Sequence, residues 1–156
     1  MRSYLIFAAW SLLAGAGIPL IGVLNSGVAR SVGNPYAATA IMFAIAALVA
    51  LGLALPLYGP PTLAQLGSAP PISYSAGLLI GFYGLSATVI IPRLGAASFI
   101  AFILVAQLLG AAVVDQFGLF GMEKRPMDIT KMVGLVVIAA GIAVMEIGNL
   151  IKAHPQ

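Results

Sequence analysis

A few polar and charged side chains stand inside or at the ends of long apolar segments, and these are the residues that could do chemistry. Gln107 lies in the middle of an apolar run that ends at Asp115. Glu146 lies near the end of another run, and Arg93 follows Pro92 between two runs. An amide or a carboxylate removed from water must find a partner helix or line a cavity. These side chains therefore predict a solute-binding site, a proton carrier or a helix interface.

The same residues do not form a recognisable catalytic centre. The only histidine, His154, lies in a polar tail, and no serine or carboxylate set has a catalytic spacing. The chain contains no cysteine, which excludes disulfides and cysteine-based metal sites. Its net charge of +3 is not gathered into a basic patch with interleaved aromatic residues, so we expect no nucleic-acid partner. We predict a protein that is not an enzyme and uses no metal or cofactor.

The composition is that of a membrane protein. Hydrophobic residues make up 62% of the chain and charged residues 7%, whereas soluble domains have about 25% charged residues. Crossing a hydrocarbon layer of about 30 Å takes about 20 helical residues. Five runs approach that length, and we number them as spans one to five: residues 4–24 (or to 30), 36–57, 73–91, 96–114 and 132–151. The sequence predicts an all-α integral membrane protein, with residues 1–156 in a single membrane domain.

Positive charge is divided almost evenly between the two sides of the predicted bundle. Arg2, Lys124, Arg125 and Lys131 lie on the side of the N terminus, and Arg30, Arg93 and Lys152 lie on the opposite side. Because orientation follows the positive charge of short flanking loops, a difference of one selects neither orientation strongly. Two copies inserted oppositely would form the inverted repeat common in transporters. A single orientation with a weak signal is the alternative.

Small residues recur along three of the predicted helices. They are Gly15 and Gly22 in span one, Gly77 and Gly81 in span three, and Gly134, Gly141 and Gly148 in span five. Lipid provides no hydrophobic drive between helices, so glycines that let two backbones approach closely are a common means of packing. We predict that these glycines are helix-packing positions in a compact bundle.

Several spans carry one strip of aromatic and polar residues each. Trp10 and Asn25 share a face of span one, Tyr83 and Ser86 lie on span three, and Gln107 lies on span four. Turned toward a common centre, these strips predict a mostly apolar cavity for a small organic solute. In the alternative interpretation, Trp10 and Tyr83 form an interfacial aromatic belt, and Gln107 joins two helices.

Arg93, Asp115 and Glu146 are candidates for coupling or gating. Glu146 lies opposite the glycine stripe of span five, so it would face outward if that stripe faces the bundle. It could then extend to the interface, pair with Asn149 across a dimer, or exchange protons. Asp115 is the other proton-carrier candidate, although solvent contact or an interaction with Arg93 also fits its place at a helix end.

Several of these segments together resemble a known family, the small five-helix YdcZ-like family of the drug/metabolite transporter superfamily. The resemblance rests on Pro92-Arg-Leu-Gly-Ala-Ala-Ser-Phe, Gln107-Leu-Leu, Asp115-Gln-Phe-Gly-Leu-Phe-Gly121, Pro19, Asn25 and Gly33-Asn34-Pro35. It covers nearly the whole chain. It implies a protein of the bacterial inner membrane that forms half of a ten-helix inverted-repeat transporter. An antiparallel homodimer or an oppositely oriented paralogue would complete it.

The resemblance places Asn25, Arg93, Gln107 and Asp115 at signature positions of the family. One position departs from it, because Ile21 stands where a glutamine often follows the Pro-Leu pair. The presumed cavity thereby loses a hydrogen-bonding group, so a substrate cannot be copied from another member. Span one also lacks the glutamate of the four-helix multidrug branch, and the proton exchange of that branch does not transfer to this chain.

The sequence thus leads us to expect a transporter subunit that moves a small organic or amphipathic solute by alternating access. Trp10 and Tyr83 would offer apolar and cation-facing surface, and Gln107 would orient the solute. A dual-topology ion channel is one alternative, which the sparse polar residues disfavour. A subunit that stabilises a paralogue without transporting is another.

Overall fold

The computed structural model describes residues 2–153, which fold into helices joined by short turns, with no strand among them. The helices are α1 (Arg2–Val32), α2 (Pro35–Tyr58), α3 (Leu63–Ser68), α4 (Ala76–Leu94), α5 (Ala96–Phe117) and α6 (Ile129–Ala153). Short 3₁₀ turns cover Pro71–Ser75 and Leu119–Gly121. Within the described range, five segments are long and apolar enough to cross a membrane: Tyr4–Val32, Pro35–Tyr58, Pro71–Leu94, Ala96–Phe117 and Ile129–Ile151. The predicted all-α membrane fold is confirmed.

The end of α4 differs from the expected boundary. Pro92 and Arg93, predicted to lie in the break between two spans, form part of the last helical turn. A proline fits there because its fixed φ suits a helix, and only one backbone hydrogen bond is lost. The chain turns instead at Gly95, whose φ of 87° is a conformation that glycine adopts at little cost.

The chain divides into two compact units, and each is described by itself. The first unit, residues 1–96, contains α1 to α4, and the second unit, residues 97–156, contains α5 and α6. The single membrane domain expected from the sequence stays a prediction.

The three long helices of the first unit are packed together at one end only. The buried residues there are Gly22, Asn25, Ser26, Ala38, Thr39, Gly84, Ala87, Thr88 and Ile91. All lie toward the C-terminal end of α1, the N-terminal end of α2 or the C-terminal end of α4, on the side of the α1–α2 turn. We call this half the closed end. The other half, which we call the open end, comprises residues 4–14, 44–58 and 76–83, and none of these residues is buried.

A tight turn between α1 and α2 holds the closed end together. Gly33 adopts a φ of 72°, and the Asn34 side chain accepts hydrogen bonds from the backbone N–H groups of Tyr36 at 2.9 Å and Ala37 at 3.2 Å. Pro35 follows as the first helical residue, where its missing N–H has no intrahelical partner to lose. The sequence pattern Gly33-Asn34-Pro35 therefore acts as a helix stop followed by a helix start.

Two glycines bring the helices of the closed end close together. A Cβ at Gly22 would overlap the end of the Ile91 side chain and touch the Ala87 Cβ at 3.4 Å. A Cβ at Gly84 would lie 2.9 Å from both the Met42 Cε and the Phe43 Cζ. Both glycines thus lie where two helices approach closely, and Gly84 was not among the packing positions predicted from the sequence.

The other predicted packing glycines make no close contact within the described part of the chain. A Cβ would meet nothing within 4 Å at Gly15, Gly77, Gly81, Gly134, Gly141 and Gly148. Their role in packing therefore stays a prediction.

In the second unit, the connection between α5 and α6 is tied to the end of α5. The Arg125 N–H donates to the Asp115 carbonyl at 2.8 Å, and the Met127 N–H donates to the Gln116 Oε1 at 2.6 Å. Asp128 then caps α6, since its Oδ1 accepts from the Lys131 N–H at 2.7 Å. These bonds fix the charged loop at the end of the α5–α6 pair.

Candidate functional site

Polar side chains from three helices meet inside the closed end. The Asn25 Nδ2 donates to the Thr88 Oγ1 at 2.7 Å and reaches the Thr39 Oγ1 at 3.5 Å. The Thr88 hydroxyl donates to the Gly84 carbonyl at 2.8 Å, and the Thr39 hydroxyl to the Pro35 carbonyl at 2.9 Å. Since both hydroxyl protons are used, the amide must offer its NH₂ group to the threonines, and its Oδ1 remains an acceptor. We call Asn25, Ser26, Thr39 and Thr88 the polar knot.

Ser26 joins the knot through a backbone group that a proline has left without its usual partner. In an α-helix the Thr88 carbonyl would accept from the N–H of residue 92, but Pro92 has none. The Ser26 hydroxyl shares its proton between the Gly22 carbonyl at 2.7 Å and the Thr88 carbonyl at 3.2 Å. The α1 side chain thus satisfies the α4 backbone at the point where the proline interrupts it.

The knot lies within the depth of the membrane and is nearly dry. Asn25 is 5% exposed and Thr88 is 2% exposed. Thr88 precedes the end of α4 by about 9 Å, at 1.5 Å per residue. Burying a polar group at this depth costs little free energy when the group is hydrogen-bonded. Any of these groups left without a partner would destabilise the fold by the free energy of its desolvation. The knot therefore fixes how α1, α2 and α4 approach one another.

An apolar groove opens directly above the knot. It has a volume of about 310 Å³ and is lined by Ile21, Met42, Phe43, Ile45, Ala46, Ile80, Tyr83 and Gly84. A second groove of about 260 Å³, between α1 and α2, shares Ile21, Met42 and Ile45 with the first and includes Asn25. We call the first of these the apolar groove. Tyr83 is the one polar residue in its lining, so it suits an organic solute with few polar groups.

The structure brings some predicted solute-binding residues toward this groove and leaves others away from it. Tyr83 lines the groove, Asn25 belongs to the knot beneath it, and Ser86 is partly buried on α4. Trp10 is 68% exposed and lines a shallow hollow on α1 with Ile6 and other residues of that helix. It lies about 22 Å from Asn25 along the helix axis, so the two do not share one pocket.

Gln107 is exposed in the middle of α5, and its side-chain amide forms no hydrogen bond with a described residue. An exposed amide at this depth needs a partner from outside the second unit, whether protein or solute. Its predicted place in a solute cavity stays a prediction.

The coupling candidates lie at different depths. Arg93 is exposed in the last turn of α4, and Asp115 is partly buried two residues before the end of α5. Glu146 lies deeper, in a small cluster: the Asn149 Nδ2 donates to the Ser98 Oγ at 3.3 Å and to the Glu146 Oε1 at 3.4 Å. The contact of Glu146 with Asn149 therefore occurs along α6 itself.

The charged loop of the second unit carries an ion pair. The Arg125 Nη2 lies 2.9 Å from the Glu123 Oε2, and both side chains are exposed. The hydrogen bond from Arg125 to Glu123 raises the pKa of the guanidinium, and the more distant charge of Asp115 acts in the same direction. Arg125 is consequently a permanent cation beside the end of α5.

The sequence reading missed the hydroxyl residues that complete these clusters, namely Ser26, Thr39, Thr88 and Ser98. Serine and threonine are inconspicuous in a membrane helix because the hydroxyl can bond the carbonyl four residues earlier in the same helix. One signal was present. Pro92 follows Thr88 by four residues, which marks the Thr88 carbonyl as the group that needs an outside donor.

The comparison with known families gives one match, which covers most of the chain. Residues 6–144 match the family described as "Putative inner membrane exporter, YdcZ". The comparisons with curated proteins and with solved structures gave no match. The match confirms the resemblance seen in the motifs, and it agrees with a multi-pass protein of the inner membrane, in a family described as exporters. With its five membrane-spanning helices and its family match from residue 6 to residue 144, the chain belongs to the YdcZ family of the drug/metabolite transporter superfamily.

Proposed function

We propose that the chain is a transporter subunit that moves a small organic or amphipathic solute, and that this solute binds in the apolar groove. The observation that carries the proposal is the asymmetry of the first unit. Its three long helices are packed around the polar knot at the closed end and bury no residue at the open end. A groove at the boundary between a closed and an open half is where an alternating-access transporter holds its solute.

The lining of the groove narrows the class of solute. Its volume of about 310 Å³ is at the lower end of the range for small-molecule sites. No charged residue lines it, while the Tyr83 ring offers an aromatic face. Asn25 lines the neighbouring groove, and with its Nδ2 bonded to the threonines it would offer its Oδ1 to a solute as an acceptor. We therefore favour a solute that is neutral or a delocalised cation and that carries one hydrogen-bond donor.

Alternating access would require the polar knot to open. When solute leaves on the far side, α1, α2 and α4 must separate at the closed end, and the bonds from Asn25 and Ser26 to Thr88 must be released. Hydrogen bonds between membrane helices contribute on average only about 0.6 kcal/mol each. Contacts of this strength can hold one state and still be exchanged during a transport cycle.

A second copy in the opposite orientation, or an oppositely oriented paralogue, would complete the transporter. Two features support this part of the proposal. Residues 44–58 of α2 are exposed on every face of the helix, and the exposed Gln107 needs a partner. Oppositely inserted copies would place one closed end on each side of the membrane, so that rocking between them gives two equivalent openings.

Orientation can be measured because the chain has no native cysteine. A cysteine replaces His154, which lies outside the described residues, and intact spheroplasts are labelled with a membrane-impermeant maleimide before and after permeabilisation. We expect about half of the chains to be labelled from outside, as the near-even division of positive charge indicates. Labelling that is complete or absent would remove the antiparallel homodimer and leave the oppositely oriented paralogue.

The solute site is tested by filling the groove. Ala46→Trp places an indole in the lining, whereas Ala44→Trp places it at nearly the same depth on the opposite face of α2. Efflux from proteoliposomes would be followed with a neutral dye, Nile red, and a delocalised cation, tetraphenylphosphonium. We expect Ala46→Trp to abolish efflux of the transported probe and Ala44→Trp to retain it. Equal efflux by both variants would refute the groove as the site.

Coupling to the proton gradient is the remaining element of the proposal. Glu146 is the better proton carrier by position, because it lies about 10 Å inside the end of α6, whereas Asp115 lies within one turn of the end of α5. We expect Glu146→Gln to flatten the pH dependence of efflux and Asp115→Asn to preserve it. If the double amide variant retains the pH dependence of the unmodified chain, neither carboxylate carries the proton.

A further inference from the structure

A hollow between α5 and α6 shares no lining residue with the apolar groove and has a polar mouth. It has a volume of about 300 Å³. Its floor is apolar, with Leu108, Ala112, Leu135 and Ile138, while Asp115, Arg125 and Lys131 stand at the loop end. A narrower cleft continues from it along the same two helices and shares Leu108, Leu135 and Ile138. Charged groups at one end and an apolar channel behind them match the layout of an amphiphile.

The dimensions of the hollow match one leaflet of a bilayer. Leu108 precedes the end of α5 by about 14 Å, and Ile138 follows the start of α6 by about the same distance. Half of a hydrocarbon layer of about 30 Å is about 15 Å. The apolar channel therefore runs from the loop at the membrane surface to near the midplane, as a lipid chain does.

Glycine and alanine create the space. Gly134 lines the hollow, and a Cβ there would meet nothing within 4 Å. Ala111 and Ala112 face it from α5. Gly134 was predicted to bring two helices together, but within the described second unit it instead leaves a gap between α5 and α6.

The charges at the mouth have both signs and are held in place. The bonds from the Arg125 N–H to the Asp115 carbonyl and from the Lys131 N–H to the Asp128 Oδ1 fix the backbone that carries them. Glu123 occupies the Nε and one Nη of Arg125, which leaves the other Nη and the exposed Lys131 to contact an anion. Asp115 offers a carboxylate to a cation. Two cations beside one carboxylate complement a group that joins a phosphate to an amine.

We propose that the α5–α6 hollow binds one phospholipid whose head group carries both a phosphate and a primary ammonium group. The phosphate contacts Arg125 and Lys131, the ammonium contacts Asp115, and one acyl chain occupies the channel past Gly134. An anionic lipid without an amine would leave Asp115 facing negative charge, so the site favours the zwitterionic lipid. This proposal is independent of the transported solute, because its residues lie in the second unit and outside the apolar groove.

The test is native mass spectrometry of the full chain, delipidated in detergent and titrated with phosphatidylethanolamine or phosphatidylglycerol. We expect one phosphatidylethanolamine per chain, retained in preference to phosphatidylglycerol. Gly134→Leu fills the channel and should abolish retention. Gly141→Leu is the matched control, since Gly141 is also open on α6 but does not line the hollow. Equal retention by the two variants would overturn the proposal.

The head-group contacts are tested separately, with variants that change one charged side chain at a time. Lys131→Gln should weaken phosphatidylethanolamine binding about fivefold, the effect of one cation near a phosphate. Lys124→Gln removes the same charge from the loop that precedes α6, outside the hollow, and should leave binding unchanged. Asp115→Asn should remove the preference over phosphatidylglycerol. If the unmodified chain binds both lipids equally, or if Lys124→Gln and Lys131→Gln act alike, the site does not recognise this head group.

Discussion

The closed and open ends of the first unit belong to the same three helices but are built from different side chains. The closed end buries small and polar residues, such as Gly22, Asn25 and Thr88. The open end carries large apolar side chains, such as Leu12 and Leu48, and leaves them exposed. In water this distribution would be inverted, because burial of large apolar side chains drives folding there.

The difference follows from the solvent. Lipid tails are as apolar as leucine, so large side chains gain little by turning from lipid to protein. Close backbone approach at glycine and hydrogen bonds between helices are what remain to hold the closed end together. A Cβ at Gly52, Gly77 or Gly81 of the open end would meet nothing within 4 Å, so its helices are available to a solute or another subunit. The closed end is thus held by contacts that can be exchanged during a transport cycle.

Accessibility to water should separate the two ends most clearly. A cysteine at Ala46, in the groove, is expected to react fully with a hydrophilic methanethiosulfonate reagent and to be protected by a transported probe. A cysteine at Ala87, which is 3% exposed in the closed end, should react much more slowly, because the reagent reaches it only when the polar knot opens. The same reagent would be counted by mass spectrometry on both variants. If the cysteine at Ala87 reacts as readily as the one at Ala46, the closed end is not closed.

Overpacking should destabilise the closed end and be tolerated in the open end. Gly84→Leu drives a side chain into Met42 and Phe43, and overpacking of this kind costs about 1–3 kcal/mol. Gly77→Leu, on the same helix, enters open space. Both variants gain the same helix propensity, so their difference isolates packing. Unfolding by sodium dodecyl sulfate in mixed micelles would measure it, and equal stabilities would show that α2 and α4 do not pack at Gly84.

Removing a hydroxyl from the polar knot should lower the free energy of unfolding by somewhat less than Gly84→Leu does. Thr88→Val keeps the shape of the side chain but leaves a buried Asn25 donor without its 2.7 Å partner, for about 1–2 kcal/mol. Thr130→Val makes the same replacement at an exposed position at the start of α6 and is expected to be neutral. Unfolding in the same micelles compares the two variants. A neutral Thr88→Val would mean that the Asn25 amide finds another partner, and the knot would not hold the three helices.

The sequence predicted the elements of this fold well and their contacts poorly. The five spans follow from apolar length alone, and the Asn34-Pro35 pair marked the start of α2 because capping is a local interaction. Helix contacts depend on which face of each helix meets its neighbour. In a span that is apolar all round, periodicity does not reveal that face.

The candidate site shows the same limit. Asn25 and Tyr83 were recognised because an amide or a phenol is conspicuous in an apolar helix, and both lie at or beside the groove. Thr39 and Thr88 were not recognised, since their hydroxyls are satisfied by their own helices before any tertiary contact forms. Trp10 has the same aromatic character as Tyr83, but its distance from Asn25 along α1 removes it from that pocket. The number of residues that separate two side chains along a helix was thus a better guide to whether they share a pocket than their residue types.

The smallest expected effect isolates one bond of the closed end. Ser26→Ala removes the donor to the Thr88 carbonyl and should lower the free energy of unfolding by about 0.6 kcal/mol. Ser11→Ala is the control, because it removes a hydroxyl of the open end that bonds only within α1. In a Pro92→Ala background, the new N–H of residue 92 can reach the Thr88 carbonyl itself, so Ser26→Ala should become nearly neutral. Unfolding of the four chains in mixed micelles closes this double-mutant cycle. If the two substitutions prove additive, Ser26 stabilises the closed end for another reason, and the proline is not the cause of its bond across the helices.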